Sequence, residues 1–376
     1  MFMLTEHWLA WLYWNPPREA FTLPFIDHPV MWYGICFITG FILGYFIIVP
    51  IIALFVNQSK HLSSMDIQDW RSLVNQLKTS SSPLIQKCQN ALNRQERQKL
   101  NSEIQPLNIS SDLKNALLIK LNTILKENSI QRKDLEQAFQ GAITSAKQIS
   151  YFLADRLCWF IVFGTLIGAR LGAVFFYDWN YFKSHPLEIF EVWKGGLASH
   201  GGALGVMLAL FFYTSYIKKW TPTLSFLRVL DFVAIPSALT AVFIRIGNFF
   251  NQEIIGTPSA YPWAVLFAQP ADGSLPIPRH PVQLYEAFAY LMTFFLLFTL
   301  WKKCNTCLAA GTYAGFLFIF NFSSRFLLEF WKANLDSILT NPILQMGQLL
   351  SIPFILFGIC LVWRKQNWQN LFCCHR

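Results

Sequence analysis

Charge is the property that this sequence has least of. Lysine, arginine, aspartate and glutamate make up 14% of its 376 residues, and 54% of the residues are hydrophobic. Soluble domains usually carry about 25% charged residues, so the deficit excludes an ordinary soluble protein and favours a polytopic membrane protein. The charges are also unevenly distributed, because residues 57–150 hold about two fifths of them in a quarter of the chain.

Other missing features exclude further classes of protein. The eight cysteines form no disulfide framework, and Cys304 and Cys307 have no second pair or histidine to complete a metal site. The positive charges are scattered and no nucleic-acid-binding motif accompanies them, so no nucleic-acid partner is expected. Residues 1–29 lack the basic start and the small-residue cleavage site of a signal peptide.

Seven apolar stretches are long enough to cross a bilayer, which needs about 20 residues per helix. They are residues 30–56, 156–178, 199–217, 228–250, 282–301, 308–331 and 343–363. We therefore predict an all-α polytopic membrane protein with seven transmembrane helices. The predicted regions are an N-terminal segment 1–29, a first transmembrane helix 30–56, an insertion 57–150, a six-helix remainder 151–363 with outer loops 179–198 and 251–281, and a tail 364–376.

The distribution of lysine and arginine predicts the orientation. Basic residues concentrate in the insertion, at Lys218 and Lys219, at Lys302 and Lys303, and in the tail, which are alternate connections. Because basic loops stay in the cytoplasm, the C-terminus is predicted to be cytoplasmic and the N-terminus outside. Residues 1–29 are expected to lie along the outer interface, since three tryptophans recur there at helical spacing, namely Trp8, Trp11 and Trp14.

The insertion 57–150 interrupts the hydrophobic pattern. Two apolar stripes with helical spacing predict helices within it. These are Ile67, Trp70, Val74 and Leu77, and then Leu113, Leu117, Leu121 and Ile124 after the capping candidates Ser110 and Ser111. We predict a polar, helical, cytoplasmic insertion. It is either a module that docks a partner or an expanded loop without a separate function.

Ionisable side chains inside the apolar stretches are costly, at roughly 2.5 to 3.5 kcal/mol each, and need a partner, water or a function. They are Arg170, His200, Asp231, Arg245, Glu286, Arg325 and Glu329. With the predicted orientation, all except Asp231 lie in the outer half of the membrane, where two arginines would suit a phospholipid phosphate. Two alternatives are open: Arg325 and Glu329 could neutralise each other at four-residue spacing, and Arg170 could hold a carbonyl.

Glycines surround His200 in residues 195–205 (GGLASHGGALG). They would let a ligand or a backbone approach the histidine closely. The spacing of Gly201 and Gly205 is also that of a helix-packing motif. Both interpretations can hold together.

These residues carry a resemblance to a known family. Residues 245–253 (RIGNFFNQE), followed by Gly256, resemble the signature of prolipoprotein diacylglyceryl transferases. Six further stretches resemble blocks of that family in the same order: 32–34 (WYG), 168–172 (GARLG), 195–202 (GGLASHGG), 279–286 (RHPVQLYE), 325–329 (RFLLE) and 347–351 (GQLLS). Ser199 and Gln252 depart from the family pattern, in which a bulky residue and a glycine are common.

The resemblance implies a seven-span enzyme of the bacterial plasma (inner) membrane. Such an enzyme moves the diacylglyceryl group of phosphatidylglycerol onto the lipobox cysteine thiol of a prolipoprotein. The reaction forms a thioether, releases glycerol 1-phosphate and is the first step of lipoprotein maturation. The implied partners are phosphatidylglycerol, prolipoprotein signal peptides with a lipobox cysteine and membrane lipid, and no metal or organic cofactor is expected.

The implied site is at the outer leaflet. The predicted catalytic residues are His200, Arg325, Tyr33, Asn248 and Glu253. The predicted substrate-binding residues are Arg245, Arg325, Gly256, Glu286 and Arg170, with Glu329 as the acidic partner of the second arginine. His200 is the candidate base for the thiol proton, and the substrate phosphate or Glu253 could serve instead.

Two other classes of function remain as alternatives. A transporter or flippase predicts polar residues near the bilayer midplane and an internal repeat, and the sequence shows neither. A membrane scaffold acting through residues 57–150 would leave the outer ionisable cluster unexplained.

Overall fold

Helices make up most of the protein. The computed structural model describes residues 12–24, 28–102, 109–127, 130–191, 196–333 and 344–364. The helices are α1 (Trp32–Gln58), α2 (Trp70–Thr79), α3 (Pro83–Ala91), α4 (Arg94–Ser102), α5 (Ser111–Lys126), α6 (Arg132–Ala138), α7 (Ala146–Phe176), α8 (Trp179–Ser184), α9 (Ser199–Ile217), α10 (Phe226–Phe250), α11 (Val282–Cys304), α12 (Thr312–Leu328) and α13 (Met346–Trp363). The strands within the described ranges are short: β1 (Leu12–Trp14), β2 (Glu19–Leu23), β3 (His28–Met31), β4 (Val265–Phe267) and β5 (Pro278–Arg279).

Six of the described helices are long and apolar enough to cross a membrane. They are α1, α7, α9, α10, α11 and α13. The prediction of an all-helical polytopic membrane protein is confirmed. Helix α12 occupies the sixth predicted stretch but has 17 residues, at the lower limit for a span, so seven transmembrane helices stay a prediction.

The chain divides into two compact units, residues 49–229 and residues 1–48 with 230–376. In the first unit, helices α2, α3, α5 and α6 pack around an apolar core to which both predicted stripes contribute. Val74 and Leu77 are buried on α2, and Ser110 caps α5 by accepting a hydrogen bond from the Leu113 amide at 3.4 Å. The apolar spacing therefore located these helices correctly.

A buried arginine completes the core of the insertion. The Arg132 guanidinium lies 2.6 Å from Asp66 Oδ1 and 2.8 Å from Glu136 Oε1. It also donates to the Thr144 carbonyl at 3.0 Å. Two carboxylates and a carbonyl thus surround one cation whose side chain is 1% exposed.

Glycines bring the backbones of α7 and α9 together within the same unit. A Cβ atom on Gly168 would lie 2.7 Å from Gly205 Cα, and one on Gly172 would lie 2.6 Å from Gly201 Cα. Side chains do not approach so closely, so a larger residue at these positions would force the helices apart. The prediction that Gly201 and Gly205 pack helices is confirmed.

An aspartate ties α10 to α12 in the second unit. Asp231, near the start of α10, is fully buried and accepts hydrogen bonds from the Gly311 amide at 2.8 Å and the Ala314 amide at 3.1 Å. It thereby satisfies amide groups at the N-terminus of α12, which have no partner within their own helix. On the next pair of helices, Phe322 of α12 stacks on Phe354 of α13 with ring centroids 4.4 Å apart.

The N-terminal segment differs from the prediction. Residues 12–14 form a β-strand that pairs in parallel with β4, and the Trp14 indole donates to the Phe249 carbonyl at 3.0 Å. The expectation of a helix is therefore wrong at Trp14, because residues 12–14 pair as a strand with β4 of the loop 251–281. Trp8 and Trp11 lie outside the described residues.

Candidate active site

A chain of alternating charges crosses the unit formed by residues 1–48 and 230–376. Glu286 on α11 is fully buried, with Oε2 2.9 Å from Arg245 Nε and Oε1 2.9 Å from Lys332 Nζ. Lys332 also lies 3.0 Å from Glu329. Each buried charge is therefore paired, which is what makes its burial tolerable.

A second network extends from Arg245 into the loop after α10. Arg245 Nη1 donates to Asn248 Oδ1 at 3.1 Å, and Asn248 Nδ2 donates to Glu253 Oε2 at 3.0 Å. The Asn251 amide donates to the other oxygen of Glu253 at 2.9 Å. Gln283 holds the Glu253 backbone carbonyl at 2.6 Å. These contacts fix the carboxylate of Glu253 close to the guanidinium of Arg245.

The loop 251–281 depends on two special backbone positions. A Cβ atom on Gly256 would lie 2.7 Å from the Cβ of His280 and 2.8 Å from Val282, so only glycine fits. Gln252 has a φ of 54°, a conformation that glycine adopts most easily. Its side-chain oxygen accepts a hydrogen bond from the Gln269 amide at 2.7 Å, which holds the turn without glycine.

Backbone contacts join this loop to the end of α12. Gly256 forms a β-bridge with Lys332, and the Thr257 amide donates to the Trp331 carbonyl at 2.8 Å. The Gly256 amide also donates to the His280 carbonyl. Burial lowers the pKa of His280, which favours the neutral imidazole, and one ring nitrogen lies 3.2 Å from the Tyr285 hydroxyl.

The two predicted arginines line one cavity of about 170 Å³. Helix α10 contributes Arg245, α11 contributes Tyr290, and α12 contributes Arg325 and Asn321. The centroid of the Tyr290 ring lies 5.9 Å from the Arg245 guanidinium. Two permanent cations on different helices thus face the same small space.

Arg325 and Glu329 do not neutralise each other in the described part of the chain. Glu329 pairs with Lys332, and a Cβ atom on Gly347 would collide with the Glu329 carboxylate. The chain Arg245–Glu286–Lys332–Glu329 is formally neutral. Arg325 therefore contributes a positive charge to the cavity that these four side chains do not cancel.

Tyr33 packs directly against the helix that carries Arg245. A Cβ atom on Gly247 would lie 2.9 Å from Tyr33 Cδ2, so the glycine makes room for the tyrosine ring. The tyrosine is close enough to Glu253 and Arg245 to interact with both charges. The structure therefore brings together seven of the residues predicted from the sequence: Tyr33, Arg245, Asn248, Glu253, Gly256, Glu286 and Arg325.

Arg170 belongs to the unit 49–229, where it binds backbone. It donates to the carbonyls of Ile189 at 2.8 Å and Gly196 at 3.2 Å, and also to the Glu188 carbonyl. Its guanidinium lies 4.9 Å from the Phe182 ring centroid. These contacts favour the alternative in which Arg170 holds carbonyls, and its predicted role in substrate binding stays a prediction.

His200 also belongs to the unit 49–229. It is exposed in the first turn of α9, beside the glycines that pack this helix against α7. An exposed imidazole is available to a substrate. Its role as a base stays a prediction.

Two polar residues of the site were not singled out from the sequence. Lys332 pairs with Glu286, which is distant in sequence, although its three-residue spacing from Glu329 was a visible signal. Asn321 precedes Arg325 by four residues, which places both on one face of α12. A lone asparagine in an apolar helix was the signal that could have identified it.

The fold and the site define a polytopic membrane protein with an arginine-lined cavity suited to an anionic group. Residues 130–364 match the model of the prolipoprotein diacylglyceryl transferase family. The chain belongs to this family, and its apolar helices and family membership make it a multi-pass bacterial membrane protein.

Individual relatives agree with this assignment. The phosphatidylglycerol–prolipoprotein diacylglyceryl transferase of Chloroherpeton thalassium is 43% identical over 215 residues, which are 57% of this chain and 77% of the relative. The protein of that name from Tolumonas auensis is 40% identical over 208 residues, 55% of this chain and 77% of the relative. The protein from Chlamydia caviae is 41% identical over 219 residues, 58% of this chain and 73% of the relative.

Proposed function

We propose that this chain transfers the diacylglyceryl group of phosphatidylglycerol onto the lipobox cysteine of prolipoproteins, and that the cavity between α10, α11 and α12 holds the lipid phosphate. Family membership assigns the transferase reaction, and phosphatidylglycerol and prolipoproteins are its substrates. The observation that carries the assignment of the site is the shared cavity of Arg245 and Arg325.

The two arginines suit the phosphate because a guanidinium stays charged and can place two parallel N–H donors on phosphate oxygens. Glu286 holds Nε of Arg245, and Asn248 occupies one Nη1 donor. The Tyr290 hydroxyl accepts a further hydrogen bond from Arg245, so part of the guanidinium is left for the ligand. Arg325 adds a second positive charge to the cavity, which attracts the negative charge of a phosphodiester.

The reaction is a displacement at carbon. The cysteine sulfur forms a bond to C3 of the diacylglycerol while the bond between C3 and the phosphate oxygen breaks. The electron pair of that bond leaves with the oxygen, so glycerol 1-phosphate departs with one more negative charge. Arginines that hold the phosphate stabilise this developing charge, and one such contact is typically worth about 3 kcal/mol.

A base must take the thiol proton, because a free cysteine is mostly protonated at neutral pH. His200 is the candidate because its imidazole is exposed and histidine is the side chain that most often acts as a general base. Glu253 is the alternative, since its carboxylate is held by Asn248 and Asn251 next to Arg245. The substrate phosphate is the third candidate.

The deciding experiment measures transfer of labelled diacylglyceryl to a lipobox peptide in membranes. Arg245→Ala should reduce transfer by at least about 100-fold, because a preorganised donor to the leaving group is lost. Lys332 still neutralises Glu286 in this variant, so the protein should remain folded. Lys303→Ala is the matched control, since it removes an exposed cation from the last turn of α11. Near-normal transfer by a folded Arg245→Ala protein would refute the assignment.

We also propose that the insertion 57–150 faces the cytoplasm and the loop 251–281 faces outward, which places the site at the outer leaflet with the N-terminus outside. A membrane-impermeant maleimide should label Asp272→Cys in intact cells, and Ser81→Cys only after permeabilisation. Cys88 can stay as an internal control, because burial raises its pKa to about 12 and keeps the thiol protonated. Rapid labelling of Ser81→Cys in intact cells would reverse the topology.

A further inference from the structure

A cavity with a single cation lies at the end of α9 opposite His200. It has a volume of about 220 Å³ and is located where α9 ends and α10 begins, within the unit 49–229. Lys218 is the only charged residue among the described residues that line it. Four of the other lining residues carry hydroxyl groups: Thr214, Ser215, Thr223 and Ser225. A cavity with one cation and no lining carboxylate is suited to an anion.

The hydroxyl groups differ in what they offer to a ligand. Those of Thr214 and Ser215 donate to backbone carbonyls of α9 at 2.7 and 3.1 Å, so their protons are used within the helix. The Ser225 hydroxyl oxygen instead accepts a hydrogen bond from the Arg228 amide at 3.3 Å, which leaves its proton for a ligand. Lys218 and Ser225 are therefore donors for an acceptor such as a phosphate oxygen.

One side of the cavity adjoins a surface that faces lipid. Phe211 lines the cavity and is exposed, and its ring centroid lies 6.4 Å from that of Phe226, which also lines it. Leu204 and Leu208 continue the exposed apolar row along α9. Because α9 is long and apolar enough to cross a membrane, this row contacts acyl chains. An anion that carries acyl chains therefore fits better than a soluble phosphate.

The cavity is far from the predicted thiol base. His200 lies in the first turn of α9 and Lys218 at its C-terminal end, about 27 Å apart at 1.5 Å per residue, which is close to the thickness of a bilayer core. With the proposed orientation, the cavity lies at the inner leaflet. Basic pockets between transmembrane helices on that side bind anionic headgroups.

We propose that this cavity binds the phosphate of an anionic phospholipid through Lys218 and Ser225, with the acyl chains along the exposed face of α9. A zwitterionic headgroup fits less well, because its own ammonium group weakens the attraction of the phosphate to Lys218. The site shares no lining residue with the cavity of Arg245 and Arg325, and the proposal does not depend on the transfer reaction.

The test counts the phosphatidylglycerol molecules that full-length purified protein retains in native mass spectrometry. Lys218→Gln should weaken the binding of one lipid by about tenfold, because a hydrogen bond to a charged group is lost. Lys219→Gln is the matched control, since Lys219 is the next residue but lies over the Trp220 ring, 3.8 Å from its centroid. This control should retain lipid as wild type does. Lys218→Arg should also retain it, because arginine keeps the charge.

Two further probes identify the class of ligand. Phosphatidylcholine should bind without dependence on Lys218, and inorganic phosphate should not displace phosphatidylglycerol. Unchanged binding in Lys218→Gln, equal losses in both glutamine variants, or displacement by inorganic phosphate overturns the proposal. Lys218 is exposed, so its replacement should leave the fold intact, and the binding comparison in wild type needs no variant.

The transfer assay separates this site from the proposed function. Lys218→Gln should transfer diacylglyceryl at the wild-type rate when phosphatidylglycerol is in excess. Wild type that does not transfer refutes the proposed function and leaves the lipid count at Lys218 as it was. A lipid count that does not depend on Lys218, in protein that transfers normally, refutes this site alone.

Discussion

Two regions of this protein bury an arginine against glutamate, and they differ in the space around it. Arg132 in the insertion contacts Asp66 and Glu136, and its cavity has a volume of about 20 Å³. Arg245 contacts Glu286, and its cavity has a volume of about 170 Å³. The first space holds about one water molecule, whereas the second admits a phosphate group.

The comparison shows that burial and ion pairing do not by themselves identify a functional arginine. The donors of Arg132 are directed to two carboxylates and a carbonyl, so the network is closed. Arg245 keeps donors beside a cavity that a second arginine also lines. The structural arginine holds the protein together, and the other one is available to a ligand.

The largest effect should be a loss of stability when Arg132 is removed from its network of ion pairs and hydrogen bonds. Arg132→Met leaves Asp66 and Glu136 without their cation, which should lower the stability of the insertion by about 3 kcal/mol. For a region of this size, that corresponds to a fall in melting temperature of more than about 10 °C, measurable by circular dichroism in detergent. Transfer per folded molecule should stay unchanged. If Arg132→Met lost transfer activity but not stability, Arg132 would not be a purely structural arginine, and its contrast with Arg245 would be wrong.

Arg325→Lys should reduce transfer by about tenfold or more, with little change in stability. Lysine keeps the charge but offers a point donor instead of a planar fork, so it loses the paired contact to phosphate. Steady-state kinetics with phosphatidylglycerol and a lipobox peptide give the result. If the purified variant turns over at a near-normal rate, Arg325 contributes charge alone.

A smaller effect is expected at Lys332, which touches the site only through Glu286. Lys332→Met should lower kcat/KM by about fivefold, because Glu286 would then pair with Arg245 alone and hold its guanidinium less precisely. Lys332→Arg should restore most of the activity, since it keeps a cation between Glu286 and Glu329. Failure of arginine to rescue activity would show that Lys332 acts by another route.

The sequence predicted most of the helices and many of the site residues because both depend on local signals. Apolar runs located the long helices, and isolated charges within them identified Arg245, Glu286 and Arg325. The strand β1 was missed because its partner β4 is far away in the chain, and spacing along 12–14 carries no information about it. Substrate binding by Arg170 stays a prediction, and its carbonyl partners could not be predicted because they come from an irregular loop.

The clamp at Asp231 has a mechanical consequence for the cavity. It fixes α10 to α12 at Gly311 and Ala314, whereas Arg325 lies farther along α12, about 20 Å away at 1.5 Å per residue. Because the two helices are joined at one end, a small change in the angle between them produces a larger displacement at the other end. A change of about 5° in the angle between the helices moves Arg325 by about 2 Å, so the separation of the two arginines is set by a small angle far from the cavity.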